Sequence, residues 1–488
     1  MAIENFVKRI QDIMRQDAGV NGDAQRIEQM AWILFLKIYD EREREWEHIE
    51  DNYKSIIPKK FRWKDWAVDD KNGKALTGEE LVTFVDKELF PTLKNIVITD
   101  KTEIRKVVVR SAIEDNHNYM KDGVLLRQVI NEVDALALAR DQDRDAFGEI
   151  YETILRSLQS AGTAGEYYTP RAVTEFMAKI IAPKLGEKVA DLACGTGGFL
   201  TSYLNELKPQ IKSAKDKTKY NKSIFGIEKK PLPHLLCVIN MLLHEIDNPQ
   251  IFHGNSLERK VTEYTENEKF DIILMNPPYG GTEQKIIKSN FPTDLRSSET
   301  ADLFMSVIMY RLKHNGRCAV VLPNSFLFGD EVKARIKEKL VKEFNLHTII
   351  RLPKNVFAPY TTTPTNILFF DKTKATETIW VYRLDMPEGY KNFSKTKPIQ
   401  LAHFKPVCDW WYNHKEETID GFDKSKCYSV ADLAKTNYNF DLCGFPHTEE
   451  EILPPAKLIA NYQTTKASLD SKINRVIAKI NSLLEDKQ

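Results

Sequence analysis

From about residue 165 to residue 370 the chain repeats one texture: short apolar runs, four to seven residues long, alternate with longer amphipathic stretches. The runs are 188–193, 223–228, 270–275, 318–323, 347–352 and 366–370, and 235–243 and 303–312 are two of the stretches between them. A strand that is apolar along its whole length is buried on both faces, and strands that alternate with helices pair mainly in parallel. An α/β fold is therefore expected, with helices on both sides of a mainly parallel sheet. In such sheets ligands sit at the carboxyl ends of the strands, so chemistry is to be sought just after each run.

Residues 1–150 read differently. Apolar positions recur at helical spacing in Ile27, Met30, Ala31, Leu34 and Ile38, and again in Val124, Leu125, Ile130, Val133, Leu136 and Leu138. A polar, aromatic stretch over 41–74 interrupts them, with Pro58 and Gly73 marking loops. No catalytic constellation stands out, and a helical docking domain is expected. Residues 151–450 form the expected catalytic domain and 451–488 a third segment. There Pro454 and Pro455 mark a break, and Leu469, Ile473, Val476, Ile480 and Leu483 are spaced 4, 3, 4 and 3. This short coiled-coil seam needs a surface to pack on, either its own domain or a partner's helix.

Composition sets limits. The 488 residues are 42% hydrophobic and 29% charged, which permits large cores and excludes a disordered chain. The longest apolar runs, such as 31–36, fall well short of the ~20 residues that span a bilayer. The start, Met1-Ala2-Ile3-Glu4-Asn5, has no signal-peptide pattern. The six cysteines (Cys194, Cys237, Cys318, Cys408, Cys427 and Cys443) include no CxxC pair. A cytoplasmic protein with no disulfide framework and no metal site is expected. Lys+Arg and Asp+Glu both number 70, for zero net charge, which taken alone argues against nucleic acid as a partner.

Three motifs carry chemistry. After the first run comes Asp191-Leu192-Ala193-Cys194-Gly195-Thr196-Gly197-Gly198-Phe199, where glycines let backbone approach a ligand. The dinucleotide fingerprint GxGxxG fails, because its third glycine falls on Leu200. The second run ends in Gly226-Ile227-Glu228. A carboxylate there is either a solvated strand-end acid or an acceptor for two ribose hydroxyls, and beside a glycine turn it points to an adenosine-containing cofactor. Directly after 270–275 stands Asn276-Pro277-Pro278-Tyr279. Two prolines end the strand and remove two N–H donors. The Asn276 amide oxygen and the Pro277 carbonyl become fixed acceptors beside the Tyr279 ring. The implied substrate is an exocyclic amine on a planar ring.

With these motifs the chain resembles the amino-methylating class of S-adenosylmethionine-dependent methyltransferases, whose signature is Asp/Asn/Ser-Pro-Pro-Tyr/Phe/Trp. Upstream, Gly165-Glu166-Tyr167-Tyr168-Thr169-Pro170-Arg171 resembles the family's cofactor-binding segment. Thr169 is expected to cap a helix with Pro170 at its first position. The motif order is that of the γ group of DNA adenine-N6 methyltransferases. The forms of the motifs, the helical N-terminal region and the length are most similar to modification (M) subunits of type I restriction–modification systems.

The resemblance implies a Rossmann-like sheet, a helical N-terminal domain, a C-terminal helical tail and S-adenosyl-L-methionine as cofactor. It implies that Glu166, Tyr167, Tyr168, Thr169, Pro170 and Arg171 line the methionine end of that cofactor. Thr196, Gly197 and Gly198 would bring backbone up to it, with Asp191 close by and Glu228 on the ribose. Asn276, Pro277, Pro278 and Tyr279 would be catalytic. Asn255 stands where the family often has an Asp near the adenine, and Leu303 or Phe304 would pack on the cofactor or belong to an ordinary amphipathic helix. The implied partners are double-stranded DNA, a specificity (S) subunit, a second copy of the chain and a restriction (R) subunit, with no membrane.

Two other activities fit the same motifs. A stand-alone DNA adenine methyltransferase would need its own recognition module, and the segment 390–445 with Trp410, Trp411 and Tyr412 is the candidate. Protein glutamine-N5 methyltransferases share Asn-Pro-Pro-Tyr but lack a large helical N-terminal region. No helicase or nuclease signature is evident, so DNA cleavage by this chain alone is not expected. The segment 280–298, with Lys285, Lys288 and Arg296, is either a DNA contact or a solvated loop.

The zero charge is a sum of opposing parts. Residues 1–170 carry a net −7 and residues 171–380 a net +7, and the remainder is neutral. The basic excess lies where phosphates would approach. It is modest, as suits a chain that takes part of its DNA affinity from a partner.

Overall fold

The computed structural model describes residues 3–69, 75–99, 102–136, 151–154, 168–446 and 454–485. Residues 1–444 form one compact unit and 445–488 a second. The longer helices are α1 (Ile3–Met14), α2 (Asp23–Ile49), α3 (Ile104–Glu114), α4 (Gly123–Asp134), α5 (Arg171–Ile181), α6 (Gly198–Leu207), α7 (Pro231–Leu243), α8 (Thr300–Arg311), α9 (Val332–Glu343) and α10 (Pro455–Glu485). The strands are β1 (Val189–Asp191), β2 (Ile224–Glu228), β3 (Ile251–His253), β4 (Phe270–Met275), β5 (Leu312–Pro323), β6 (Asn345–Arg351), β7 (Thr365–Asp371), β8 (Thr378–Arg383), β9 (Glu417–Ile419) and β10 (Phe422–Ser429).

All ten strands join one sheet in the order β3-β2-β1-β4-β5-β7-β6-β8-β10-β9. The five from β3 to β5 run parallel. β7 is antiparallel to both β5 and β6, and β8 is parallel to β6. The expected mainly parallel sheet thus holds for the half that follows the βα alternation. β7 inverts because it follows β6 with no intervening crossover helix and enters the gap beside β5, where only an antiparallel partner fits. The last two strands close the far edge as antiparallel pairs.

Both faces of the sheet are buried. Along β4, Ile272 and Leu274 point into one core while Ile273 and Met275 point into the other. Along β5, Ala319 and Val321 alternate with Val320 and Leu322 in the same way. The first core takes in α5, α6 and α7, and the second takes in α8 and α9.

The N-terminal helices share the first core. α2 buries Ile27, Met30, Ala31, Leu34 and Ile38 as the spacing predicts, and Trp32, Ile33 and Phe35 besides. It does not stop at Glu41 but runs on to Ile49, because Lys37, Arg42 and Arg44 pair with acids one turn away and make the charged stretch compatible with a helix. In α4, Leu126, Val129, Ile130 and Val133 are the buried apolar side chains and Val124 is exposed, since the cap at Asp122 fixes the start of the helix. Leu138 lies outside the described residues.

α2 and α3 meet the sheet layer at Asp247. Its carboxylate accepts from Arg42, from Trp46 Nε1 at 2.9 Å and from Asn221 Nδ2 at 2.9 Å. Arg105 reaches the Asp247 carbonyl at 3.4 Å and lies over the Trp46 ring, 3.8 Å from its centroid. Charged and aromatic groups here are satisfied by one another across the helical layer.

α10 is 31 residues long. Leu469, Ile473 and Val476 of its seam are exposed, as are Leu458, Ile459 and Tyr462 one to two turns earlier. The side chains of Ile480 and Leu483 lie outside the described residues.

Asp247→Ala should cost about 2 kcal/mol, because it leaves the Trp46 and Asn221 donors without their acceptor. A lowered urea midpoint for this variant, with a smaller loss in Asp247→Asn, checks the role of this residue.

Candidate active site

The chain leaves β1 towards β2 and β3, then crosses back to lay β4 on the other side of β1. The loops that follow β1 and β4 therefore diverge, and a crevice opens between them at the carboxyl ends of the strands. The glycine turn and Asn276-Pro277-Pro278-Tyr279 are the residues placed there. Two adjoining cavities occupy the crevice. One, of about 340 Å3, is lined by Glu228, Asn255, Pro277, Pro278, Tyr279 and Phe304 among others. The other, of about 460 Å3, is lined by Thr169, Pro170, Arg171, Thr196, Gly198 and Tyr360 among others. Tyr168, Ala193, Gly195 and Asn276 belong to both walls.

The glycine turn is held from three sides. Gly197 has φ +84°, and a Cβ on it would stand 2.9 Å from Cys237 Sγ and 3.1 Å from the end of Met241. Only glycine fits there. The Thr196 carbonyl accepts from Asn240 Nδ2 at 3.0 Å and from the Tyr151 hydroxyl at 3.2 Å, and that hydroxyl also reaches the Leu236 carbonyl at 3.0 Å. The Gly195 N–H donates to Glu228 Oε2 at 2.8 Å, and the Lys230 N–H donates to Oε1 at 2.8 Å. Glu228 is thus locked to the turn while still lining the smaller cavity.

Asp191 is 1% exposed and accepts the Ala193 N–H at 3.2 Å. Burial pushes its carboxyl up to about 8 and the nearby Glu228 charge adds to this, against the Ala193 hydrogen bond. It is a neutral acid at pH 7 and braces the entry to the turn.

Asn276 is anchored by β4 behind it and two prolines ahead. Its Nδ2 donates to Thr169 Oγ1 at 3.0 Å. Its Oδ1 is buried and has no hydrogen-bond partner, and among the described residues no donor reaches the Pro277 carbonyl. Two acceptors thus stand without donors at the wall of a cavity, and a buried unsatisfied acceptor marks a place for a ligand N–H. Tyr279 is half-buried against the second core and lines the same cavity.

Thr169 does not cap α5. Pro170 occupies that position, its carbonyl accepting from Val173 and Thr174, and the Thr169 hydroxyl serves Asn276 instead. The Arg171 guanidinium lines the larger cavity while binding Thr201 Oγ1 at 2.9 Å and the Glu152 carboxylate. Glu166 and Tyr167 lie outside the described residues. Leu303 packs in the second core, and Phe304 is the one that lines the smaller cavity. Asn255 lines that cavity too, and its Oδ1 accepts from the Leu257 N–H at 3.1 Å.

Trp410 is core, against Tyr382 at 4.8 Å and Trp380 at 5.9 Å, and Trp411 packs on Phe369 at 4.8 Å. Only Tyr412 of that trio is fully exposed. Sequence reasoning missed Tyr151, Asn240 and Tyr360. Asn240 left a signal, a buried amide within the otherwise apolar end of α7. Among the described residues no group of three or more His, Cys, Asp or Glu could hold a metal ion, and no described helix is long and apolar enough to cross a membrane.

The strand order, with the glycine turn after β1, the acid ending β2 and the Asn-Pro-Pro-Tyr turn after β4, gives the fold of the S-adenosylmethionine-dependent methyltransferases. Residues 142–452 match the N-6 DNA methylase family, and residues 3–133 match the HsdM N-terminal domain. The chain is 47% identical over 481 residues to the type I restriction enzyme EcoEI methylase subunit of Escherichia coli, covering 98% of this chain and 97% of that protein.

Among solved structures, a modification subunit described as that of a type I restriction enzyme from Vibrio vulnificus YJ016 superposes with a TM-score of 0.79 at 38% identity. That match covers 88% of this chain and 92% of the other. A chain from a structure of complex assembly in a type I restriction–modification system also gives a TM-score of 0.79, at 32% identity over 100% of this chain and 99% of that one. The chain belongs to the methylase subunits of type I restriction enzymes, within the N-6 DNA methylase family.

The neutral Asp191 has a consequence for stability. Its carboxyl rises from an ordinary 3.8 to about 8 on folding, so between those values the folded state holds a proton that the unfolded state has lost. The stability it contributes is full below about pH 4 and is lost as pH rises towards 8. Asp191→Asn should therefore flatten the decline in unfolding free energy between pH 5 and pH 8, measured by urea titration at each pH.

Proposed function

We propose that this chain is the methylating subunit of a type I restriction–modification complex, transferring a methyl group from S-adenosyl-L-methionine to N6 of an adenine flipped out of duplex DNA. The observation that carries the reading is the pair of acceptors without donors, Asn276 Oδ1 and the Pro277 carbonyl, at the wall of the crevice.

The residues present fit the cofactor. Glu228, whose carboxylate accepts the Gly195 and Lys230 N–H groups and lines the smaller cavity, is placed for the ribose hydroxyls. Phe304 and Asn255 stand in the same cavity for the adenine. Thr196, Gly197 and Gly198 carry the turn. Tyr168, Pro170 and Arg171, with Glu166 and Tyr167 before them, are assigned to the methionine end, and the Thr169 hydroxyl serves Asn276 instead. Asp191 fixes the turn as a neutral acid. When bound, the cofactor supplies an electrophilic methyl group on a sulfonium.

Everything else is the work of the chain. An adenine N6 lone pair is delocalised into the ring and is a poor nucleophile. Asn276 Oδ1 and the Pro277 carbonyl, accepting its two N–H groups, favour a tetrahedral nitrogen. That interaction strengthens as positive charge develops, so it lowers the barrier. Pro278 keeps the turn rigid, and the Tyr279 ring is placed to stack on the base. Removal of the base from the helix costs a few kcal/mol, to be recovered by such contacts.

The remaining parts of the chain suit assembly. We assign 1–150 as a helical docking domain, 151–450 as the catalytic domain and 451–488 as the segment that meets other subunits. The apolar seam of Leu469, Ile473 and Val476 along α10 is the feature behind the last assignment. The specificity subunit is its proposed partner, with a second copy of this chain and a restriction subunit in the full complex. The buried Trp410 argues against 390–445 as an autonomous DNA-reading module. A cytoplasmic enzyme is proposed, where duplex DNA is the substrate.

The test uses tritiated cofactor and duplex DNA, with and without the specificity subunit. Site-specific transfer is expected only with that subunit, and robust site-specific transfer by this chain alone would overturn the subunit reading. Asn276→Ala should abolish transfer while cofactor binding, read by calorimetry, is retained. Full activity in that variant would overturn the site.

A further inference from the structure

We infer that Thr169 is the positioning residue of the catalytic amide: its hydroxyl holds Asn276 so that Oδ1 faces the substrate amine. The inference rests on the methyltransferase reading above, and it moves the Thr169 side chain away from the cofactor role that the sequence implies.

The hydrogen bond joins two stiff backbones 107 residues apart in the chain. On one side, Thr169 stands immediately before α5, whose first turn is tied to the Pro170 carbonyl by the Val173 and Thr174 N–H groups. On the other, Asn276 sits between the end of β4 and two prolines. A side-chain bond between elements that cannot drift fixes a geometry far better than one between loops.

The chemistry needs that geometry. An amide has an acceptor end and a donor end, and only the acceptor end helps an incoming amine. Nδ2 is engaged by Thr169 at 3.0 Å, and Oδ1 is the buried atom without a partner. Without the hydroxyl, Nδ2 loses its acceptor, and the amide can rotate to turn its N–H groups, in place of Oδ1, towards the incoming amine. The fraction of molecules ready to react then falls, while the walls that hold the cofactor stay in place. Glu228, Gly195 and Thr196 are held by bonds that do not involve Thr169.

The test compares wild type, Thr169→Val and Thr169→Ser in the assembled complex, reading single-turnover methyl transfer and, separately, the affinity for S-adenosylhomocysteine. Thr169→Val keeps the side-chain shape and removes the hydroxyl. It should slow the chemical step by about tenfold to a hundredfold with cofactor affinity within about twofold of wild type, and Thr169→Ser should restore most of the rate. Thermal melting of each variant separates misfolding from misplacement, and the serine variant tests the proposal even if the valine variant melts early.

A Thr169→Val enzyme that reacts at the wild-type rate overturns the inference. So does one whose loss lies wholly in cofactor affinity, or a serine variant no faster than the valine variant. An inactive wild-type complex on adenine-containing DNA would instead overturn the reading beneath it.

Discussion

The structure depends on one reversal of direction in the sheet. Right-handed crossovers carry the chain from β1 out to β2 and β3, and the return to β4 on the other side of β1 forces the two following loops apart. Everything chemical in the protein collects at that parting. The glycine turn leaves β1 on one side, the Asn-Pro-Pro-Tyr turn leaves β4 on the other, and the carboxylate that ends β2 is drawn back to the turn by the Gly195 N–H. The two cavities meet at Tyr168, Ala193, Gly195 and Asn276, where the proposed cofactor and substrate positions adjoin.

Rigidity at this crevice comes from groups far away in sequence. The Thr196 carbonyl is held by Asn240 and Tyr151, and Asn276 by Thr169. The helical region adds to it through the first core, which it shares with α5, α6 and α7, and through Asp247. The opposed charges of the two regions, −7 over residues 1–170 and +7 over residues 171–380, are in part joined in contacts such as Glu152 with Arg171.

What could be read from the sequence follows from the physics of each element. β1, β2 and β4 are legible because a strand covered on both faces must be apolar throughout. β3 is too short, and β10, with only Ser425 fully buried, carries no such run, so the far edge of the sheet stayed hidden. The glycine turn, Glu228 and Asn276 are legible because their residue types are required by chemistry at strand ends. The bracing of the turn was not, since Tyr151 and Asn240 act on Thr196 across 45 and 44 residues. Thr169 shows the limit of local reasoning. Its sequence neighbours predict a helix cap, yet a long-range amide takes the hydroxyl.

The central claim is that the crevice between β1 and β4 holds the methyl donor with its reactive end towards Asn276. A crystal structure of the chain with S-adenosylhomocysteine tests it most directly. The account predicts ribose hydroxyls on Glu228, the adenine beside Asn255 and Phe304, and the sulfur end facing Asn276 and Pro277. Density instead in the aromatic groove of Phe225, Phe252 and Tyr264, with the crevice vacant, would contradict it.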